Sequence, residues 1–311
     1  MTVFLIIVGG LAVLFFLFVL VNSFAGCYLR RDGPPLEKLD LSKTHYAKYK
    51  DDLLKAITEV KSLPYEPVRI TARDGAVLAA RYFDFGNKKT VIALHGYRAI
   101  PYNNIHAGFL GMKDLGYNVL LVSQRCHFES GGHAITFGVK EKDDLIRWIE
   151  YLENRFPENE IALYGISMGC ATICLAADKL KEHPAVKLLV LESGYRVAYE
   201  AMLAGGKSFG VLKYLIGFCC RLSGRTLLHV KLKEDVMDEK LSQCTVPAFF
   251  IHGSEDANVT PDNSYKNFDA IASAKKELFI AEGAGHAEAF LAERPEITKR
   301  LKAFLEDIGD N

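Results

Sequence analysis

Net charge is the first thing this chain lacks. Its 38 lysines and arginines are matched by 38 acidic side chains, so it offers no basic field for a nucleic acid. Half of its residues are hydrophobic, far too many for a disordered chain. There is no internal repeat and, beyond the first residues, no low-complexity tract. A metal-ligand pattern is missing too. Cys27, Cys126, Cys170, Cys174, Cys219, Cys220 and Cys244 are odd in number and stand at no ligand spacing with the histidines, which favours free buried thiols over a disulfide framework. The most local absence is at the N-terminus. No charged side chain precedes Arg30, and residues 3–20 are all apolar or glycine.

Such a segment belongs in lipid. At ~1.5 Å rise per residue, roughly 20 helical residues cross a hydrocarbon core of ~30 Å, and residues 3–26 suffice with some tilt. Three uses of the leader compete. A cleaved secretory signal needs a basic stretch ahead of the apolar run, where this chain has Met1 and Thr2 alone. A lipoprotein site is suggested by Phe24-Ala25-Gly26-Cys27, but it lacks the same basic stretch. An uncleaved transmembrane helix needs neither. Its orientation follows from Lys/Arg asymmetry, because Arg30, Arg31, Lys38, Lys43, Lys48 and Lys50 all follow the helix. Positive charge inside would leave the rest of the chain in the cytoplasm, with the other face still open.

Asp32-Gly33-Pro34-Pro35 then punctuates the exit from the membrane, and 46–60 has the apolar spacing of an amphipathic helix packed on the domain. Two short strands, 68–71 and 77–83, flank Asp74-Gly75 and predict an antiparallel hairpin at a sheet edge. Apolar runs without alternation follow at 91–94, 119–122, 161–164, 186–191, 248–251 and 278–281, as expected of strands covered on both faces. Helical stretches at 105–115, 140–156, 168–181, 264–271 and 286–308 separate most of them. The pattern predicts an α/β fold, a mostly parallel sheet wrapped by helices, with its chemistry at the strand C-terminal ends. About 195–244 breaks the rhythm with an insertion rich in apolar side chains, among them Met202, Leu203, Phe209, Ile216, Phe218 and Leu222. It reads as a helical lid, or as an excursion that covers the sheet edge. The expected organisation is an anchor at 1–29, a juxtamembrane segment with its helix at 30–65, and one α/β domain at 66–311 that holds the insertion.

The sharpest chemical signal is Gly165-Ile166-Ser167-Met168-Gly169, between an expected strand and an expected helix. A serine on such a turn projects its hydroxyl above the sheet, and Gly165 and Gly169 let the backbone bend that sharply. A neutral serine is a poor nucleophile and needs an imidazole to take its proton, with a carboxylate to fix the tautomer. His286 follows the last strand, and Asp256 follows the strand before it, with Glu255 as a competing carboxylate. The oxyanion would be held by backbone N–H groups of Met168, after the serine, and of Tyr97, in the loop opened by Leu94-His95-Gly96.

With these motifs the chain resembles the α/β-hydrolase superfamily, in particular its serine-esterase and serine-aminopeptidase-like members and bacterial membrane-anchored hydrolases. The likeness spans 66–308 and includes Ser130-Gly131-Gly132, Val246-Pro247 and Gly285-His286-Ala287-Glu288. Similar proteins often carry Asp-x-Arg-Gly-His-Gly after the fourth strand; here Ser123-Gln124-Arg125-Cys126-His127-Phe128 keeps Arg125 and His127, read as structural, and replaces both glycines. The resemblance implies acyl transfer through Ser167, with His286 as base and Asp256 as its orienter, and calls for no metal or organic cofactor. The expected substrate is a small-molecule or lipid carboxylic ester reached at the membrane. A peptidase or thioesterase could run on the same residues; an amine-binding peptidase would need acids, for which the lid offers Glu200, Glu234, Asp235 and Asp238. A non-catalytic membrane-tethered binding protein is the alternative from another class.

Overall fold

The computed structural model describes residues 1–29, 32–33, 35–233 and 236–309, and the side chains of these apart from Val3, Leu5, Lys43 and His45. Arg30, Arg31, Pro34, Glu234 and Asp235, used in the sequence reading, lie outside the described residues.

The apolar leader forms one helix, α1 (Thr2–Tyr28). Its segment Ile6–Tyr28 is long and apolar enough to cross a membrane. The juxtamembrane stretch winds through short 3₁₀ turns into α2 (Lys50–Ser62), which has Asp51 and Asp52 in its first turn and buries Leu53, Ala56, Ile57 and Val60. Acids there complement the positive end of the helix, and the buried spacing is that of one helical face.

Eight strands follow: β1 (Glu66–Thr71), β2 (Val77–Phe83), β3 (Lys89–Leu94), β4 (Asn118–Ser123), β5 (Glu160–Ile166), β6 (Val186–Glu192), β7 (Ala248–Gly253) and β8 (Lys276–Ala281). They form one sheet in the order β1-β2-β4-β3-β5-β6-β7-β8. The expected hairpin is present, with Thr71 opposite Val77 across the Asp74-Gly75 turn. Strand β2 runs antiparallel to β4, and β3 to β8 are mutually parallel, so the insertion between β6 and β7 emerges beside the central strands.

Two apolar layers explain why the parallel strands show no alternation. On one face Ile92, Leu94 and Leu163 pack with Trp148, Ile173 and Leu241 from α4 (Glu141–Arg155), α5 (Met168–Ala176) and α8 (Asp238–Leu241). On the other, Val91, Ala93 and Tyr164 pack with Ile57, Phe109 and Leu301 from α2, α3 (Pro101–Asp114) and α10 (Ala289–Asp307). Helix α9 (Asp262–Ala270) connects β7 and β8. Between β6 and β7 stand α6 (Ala198–Gly205), α7 (Leu212–Ser223) and α8, so the insertion is helical.

Helix boundaries depart from the sequence reading in several places, α2 among them, which starts at Lys50 behind a 3₁₀ turn rather than at 46. Pro101 occupies the first turn of α3 and starts it earlier, since proline is pre-organised there and sacrifices no internal hydrogen bond. The stretch 168–181 is divided, α5 giving way to a 3₁₀ run, Ala177–Glu182. The last helix begins at Ala289, leaving His286 in the preceding loop, and it kinks at Glu293, two residues before Pro295.

Behind the sheet, Arg125 is clamped between two acids. Its Nε and Nη2 donate to Asp144, both at 2.6 Å, and Nη1 donates to Asp74 at 2.8 Å. Arg125 and Asp144 are buried, so removing one partner leaves an uncompensated charge, a loss of about 3–5 kcal/mol. Arg125→Met should lower the urea midpoint accordingly, and adding Asp144→Leu should recover most of the loss; equal midpoints for wild type and the single variant would show that the pair carries no stability.

Candidate active site

Sequence alone makes the turn between β5 and α5 sharp. A Cβ on Gly165 would stand 2.4 Å from the Gly169 carbonyl carbon, and one on Gly169 would stand 2.1 Å from the Leu94 carbonyl oxygen. Neither approach tolerates a side chain. Between them Ser167 adopts φ 52° and ψ −110°, a conformation that non-glycine residues rarely enter. Its N–H donates to the Glu192 carbonyl at 2.9 Å, and its carbonyl accepts from Ala171 N–H in the first turn of α5. The hydroxyl is thus held at the C-terminal end of the central strand, beside a helix N-terminus.

His286 reaches this hydroxyl from the loop after β8. Its Nε2 lies 3.0 Å from Ser167 Oγ, and its Nδ1 lies 2.6 Å from Asp256 Oδ2. Three hydrogen bonds fix that loop: Gly285 N–H to Glu288 Oε2, Ala287 N–H to Ser193 Oγ, and Phe290 N–H to Glu192 Oε1. Asp256 is buried and Oδ1 accepts from the N–H groups of Asn258 and Val259 at 2.9 and 2.8 Å. Of the two adjacent acids, Asp256 therefore faces the imidazole. Its second partner escaped the sequence reading: His252 Nε2 stands 3.2 Å from Oδ2. The same Nε2 is 2.8 Å from the Val259 carbonyl, and Nδ1 is 2.6 Å from Ser264 Oγ. With two acceptors facing it, Nε2 carries the His252 proton, and Nδ1 takes the serine hydroxyl. Burial by itself would raise the Asp256 pKa, but the bonds from His252 and His286, the His286 charge and the Val259 amide together take it below the usual carboxylate range. A carboxylate so held stays ionised and orients the imidazole without taking its proton.

The loop after β3 is braced by two further histidines. His95 Nδ1 donates to the Gly96 carbonyl at 2.7 Å, and Nε2 accepts from Gln124 N–H at 3.1 Å. Burial, with the His127 ring at 4.8 Å, holds the His95 pKa well below its ordinary value, so the ring is neutral. His127 Nε2 accepts from Arg98 N–H at 2.9 Å, and its Nδ1 donates to the Arg125 carbonyl. Gly96 N–H donates to Asn104 Oδ1 at 2.7 Å, and a Cβ on Gly96 would lie 3.5 Å from the Ser167 Cβ. Tyr97 follows directly and Met168 opens α5, which brings both expected oxyanion residues to the serine. The glycines replaced in this chain's version of the β4 loop have left a mark. Cys126 and Phe128 sit at φ 62° and 44°, the left-handed backbone that glycine adopts freely, so the loop keeps its path at a conformational cost of about 1–2 kcal/mol each.

Above Ser167 and His286 lies a cavity of about 510 Å³, within the ~300–1,000 Å³ of small-molecule sites. Met202, Leu203, Phe209, Ile216 and Gly217 from the insertion form one wall, and Gly26 and Cys27, from the end of α1, form part of another. The insertion is a lid over the strand ends. No carboxylate lines the cavity among the described residues, whereas Arg98 and Lys213 do. Arg98 Nε and Nη2 are buried with no hydrogen-bond partner among the described residues, and the guanidinium stands 4.7 Å from the Tyr97 ring. Of the lid acids, Asp238 is bound by Arg196 at 2.7 Å and Glu200 is exposed on α6.

Against this geometry, residues 42–214 match the family of X-Pro dipeptidyl-peptidases (S15 family). The chain belongs to the S15 family. The match takes in Ser167 and ends before Asp256 and His286, which the sheet topology brings to it. Among curated proteins, YqkD of Bacillus subtilis (strain 168), itself uncharacterized, is 26% identical over 231 residues, 71% of this chain and 72% of its own. Among solved structures, the Pyrococcus furiosus esterase Pf2001 superimposes with a TM-score of 0.66 at 25% identity, covering 80% of this chain and 93% of its own. Est1E of Butyrivibrio proteoclasticus shares the fold, with a TM-score of 0.58 at 17% identity over 78% of this chain and 100% of its own. This S15 chain is an α/β-hydrolase-fold enzyme with a serine-hydrolase architecture.

The depressed Asp256 pKa has a pH signature. An unfolded Asp titrates near 3.9, so this group's stabilisation is complete above about pH 5 and is lost as the pH falls through the lower folded value. The stability advantage of wild type over Asp256→Asn, read from urea midpoints, should therefore be larger at pH 6 than at pH 3. A gap independent of pH would mean that the carboxylate is not held ionised by its histidines.

Proposed function

We propose that this protein cleaves carboxylic esters through an acyl-enzyme on Ser167. The observation that carries the reading is the single imidazole, His286, within hydrogen-bond reach of Ser167 Oγ on one nitrogen and of buried Asp256 on the other. With Nδ1–H donated to the carboxylate, Nε2 has its lone pair toward the hydroxyl and takes the proton as Oγ attacks the carbonyl carbon. The tetrahedral oxyanion falls to the N–H groups of Met168 and Tyr97, each donor worth about 3 kcal/mol at the transition state. His286 then returns the proton to the leaving alcohol, and water releases the acid by the same steps.

The cavity wall supports an ester over a peptide. An enzyme that holds a free N-terminal amine needs negative charge beside its serine; the described lining residues supply cations, Arg98 and Lys213, and apolar side chains. The likeness to the Pf2001 esterase points the same way. The family's X-Pro dipeptidyl-peptidase activity is the second reading, and thioesters remain compatible with the same acyl chemistry. The purified 311-residue chain should react with a fluorophosphonate and hydrolyse p-nitrophenyl butyrate while leaving Gly-Pro-p-nitroanilide intact. Ser167→Ala should abolish labelling and cut turnover by a factor on the order of 10⁶. Rapid cleavage of the anilide would install the peptidase reading, and a folded wild type inert to the fluorophosphonate would favour a binding protein.

The Lys/Arg excess after α1 supports a cytoplasmic domain on a single membrane helix. Protease added outside intact cells should then leave the domain whole and cut it after the membrane is permeabilised; cutting without permeabilisation would reverse the orientation.

A further inference from the structure

The end of α1 does not leave the domain as a loose tether. It packs along α7, with Val19, Ser23 and Tyr28 buried. Tyr28 Oη donates to the Cys220 carbonyl at 2.7 Å, Tyr97 Oη donates to the Cys27 carbonyl at 2.8 Å, and the Tyr28 carbonyl accepts from Ile135 N–H at 2.7 Å. Cys27 and Cys220 bring their thiols to 2.9 Å. Gly26 and Cys27 thereby become part of the wall around the cavity that holds Ser167. Val19, the first buried contact, lies nine residues before Tyr28, about 14 Å up the helix and inside the uninterrupted apolar run. The lid is thus attached to α1 within its apolar run.

Helix α7 is built to match. Its inner side gives Ile216 and Gly217 to the cavity and buries Cys220. Its outer side should be polar if it faced water. Instead Val211, Tyr214, Phe218 and Leu222, spaced three or four residues apart, are 84%, 57%, 52% and 37% exposed, and Leu227 in the following turn is 63% exposed. Arg221 and Arg225 flank this stripe, as cations flank the apolar face of helices seated among lipid headgroups. The stripe adjoins the exposed apolar surface of α1, which includes Leu14, Phe18 and Val21. Two apolar surfaces joined side by side, one long enough to span a bilayer, call for the same solvent.

We propose that the outer face of α7 is seated in the bilayer surface and that the cavity is loaded sideways from the membrane, so that the substrate is a long-chain acyl ester of a membrane lipid. The substrate half rests on Ser167 being the nucleophile; the seating of α7 does not. A lipid that reaches the cavity from the bilayer side of the lid brings its acyl ester over the serine without passing through water, and Met202, Leu203, Phe209 and Ile216 receive the chain.

The test uses the full chain reconstituted in phosphatidylcholine/phosphatidylglycerol vesicles. In Phe218→Trp, lipids brominated along their acyl chains should quench the introduced indole, over the constant background of the buried Trp148. Absence of that quenching, or its replacement by cross-linking between two copies through α7, would overturn the seating. Vesicle phospholipid should release fatty acid in wild type and none in Ser167→Ala. The combined variant Val211→Glu/Tyr214→Glu/Phe218→Glu should lose at least tenfold in that release while hydrolysing soluble p-nitrophenyl butyrate within twofold of wild type. Equal release by variant and wild type, or butyrate turnover with no fatty-acid release from wild-type vesicles, would refute lateral loading. Wild type inert toward butyrate as well would instead defeat the serine-hydrolase reading and the substrate half with it, with the quenching arm still deciding where α7 lies.

Discussion

The backbone crossing at Gly165, Gly169 and Leu94 is the constraint on which the site depends. Two glycines without side chains let α5 leave β5 so steeply that its first turn touches the end of β3. That contact forces Ser167 into a left-handed backbone and lifts its hydroxyl clear of the sheet. It also sets β5 between β3 and β6 as the strand whose end everything else must approach. The loop after β3 lies on one side, carrying Gly96 and Tyr97. The loops after β7 and β8 come from the other, carrying Asp256 and His286. A parallel sheet makes this convergence inevitable, because all of its C-terminal ends face one way.

Convergence would be of little use if the loops were soft. Here each is tied by buried polar groups that carry no reaction of their own. His95 and His127 bridge the β3 and β4 loops through backbone atoms on both sides, and Glu192 and Ser193 at the end of β6 grip the loop of His286. His252 does the same for Asp256. Such braces cost desolvation, which the protein offsets by satisfying both ends of each imidazole. The left-handed Cys126 and Phe128 follow the same logic, since the path of that loop, and with it the position of His127, outweighs the local strain.

The leader and the lid form a second system, distinct in chemistry from the first. Van der Waals packing and a few hydrogen bonds donated by the Tyr28 hydroxyl and the Cys220 thiol join α1 to α7, and their combined outer surface is apolar where the rest of the domain is charged. The cavity sits between these two systems, with its floor made of polar, rigid loops and its walls made of apolar helices. Position of the serine is decided by the sheet, and access to it by the helices.

Much of this was legible from the residues in order. The eight strands followed from apolar runs between turn signals, and the apolar leader helix from the missing charge before Arg30. Ser167, Asp256 and His286 stood out because a strand-end serine, acid and histidine in that order leave a local trace at each position. Other features leave none. Nothing near His252 marks it as a partner of Asp256, because that contact depends on how the loop returns over the strand end. The start of the last helix was misplaced because His286 sits in an apolar context that reads as helical, whereas the bond from Gly285 N–H to Glu288 keeps it in a turn. Gly26 and Cys27 read as the end of a membrane helix, or as a processing site, and became cavity wall when α7 packed against them. Local chemistry is written in neighbouring residues, so sequence alone determined the fold class, the long apolar leader helix and the candidate triad. Side chains far apart in the chain meet through packing, and near ones meet only where the loop returns on itself, so the tertiary structure alone decided the bracing histidines, the contact of His252 with Asp256 and the wall that the leader helix lends to the cavity.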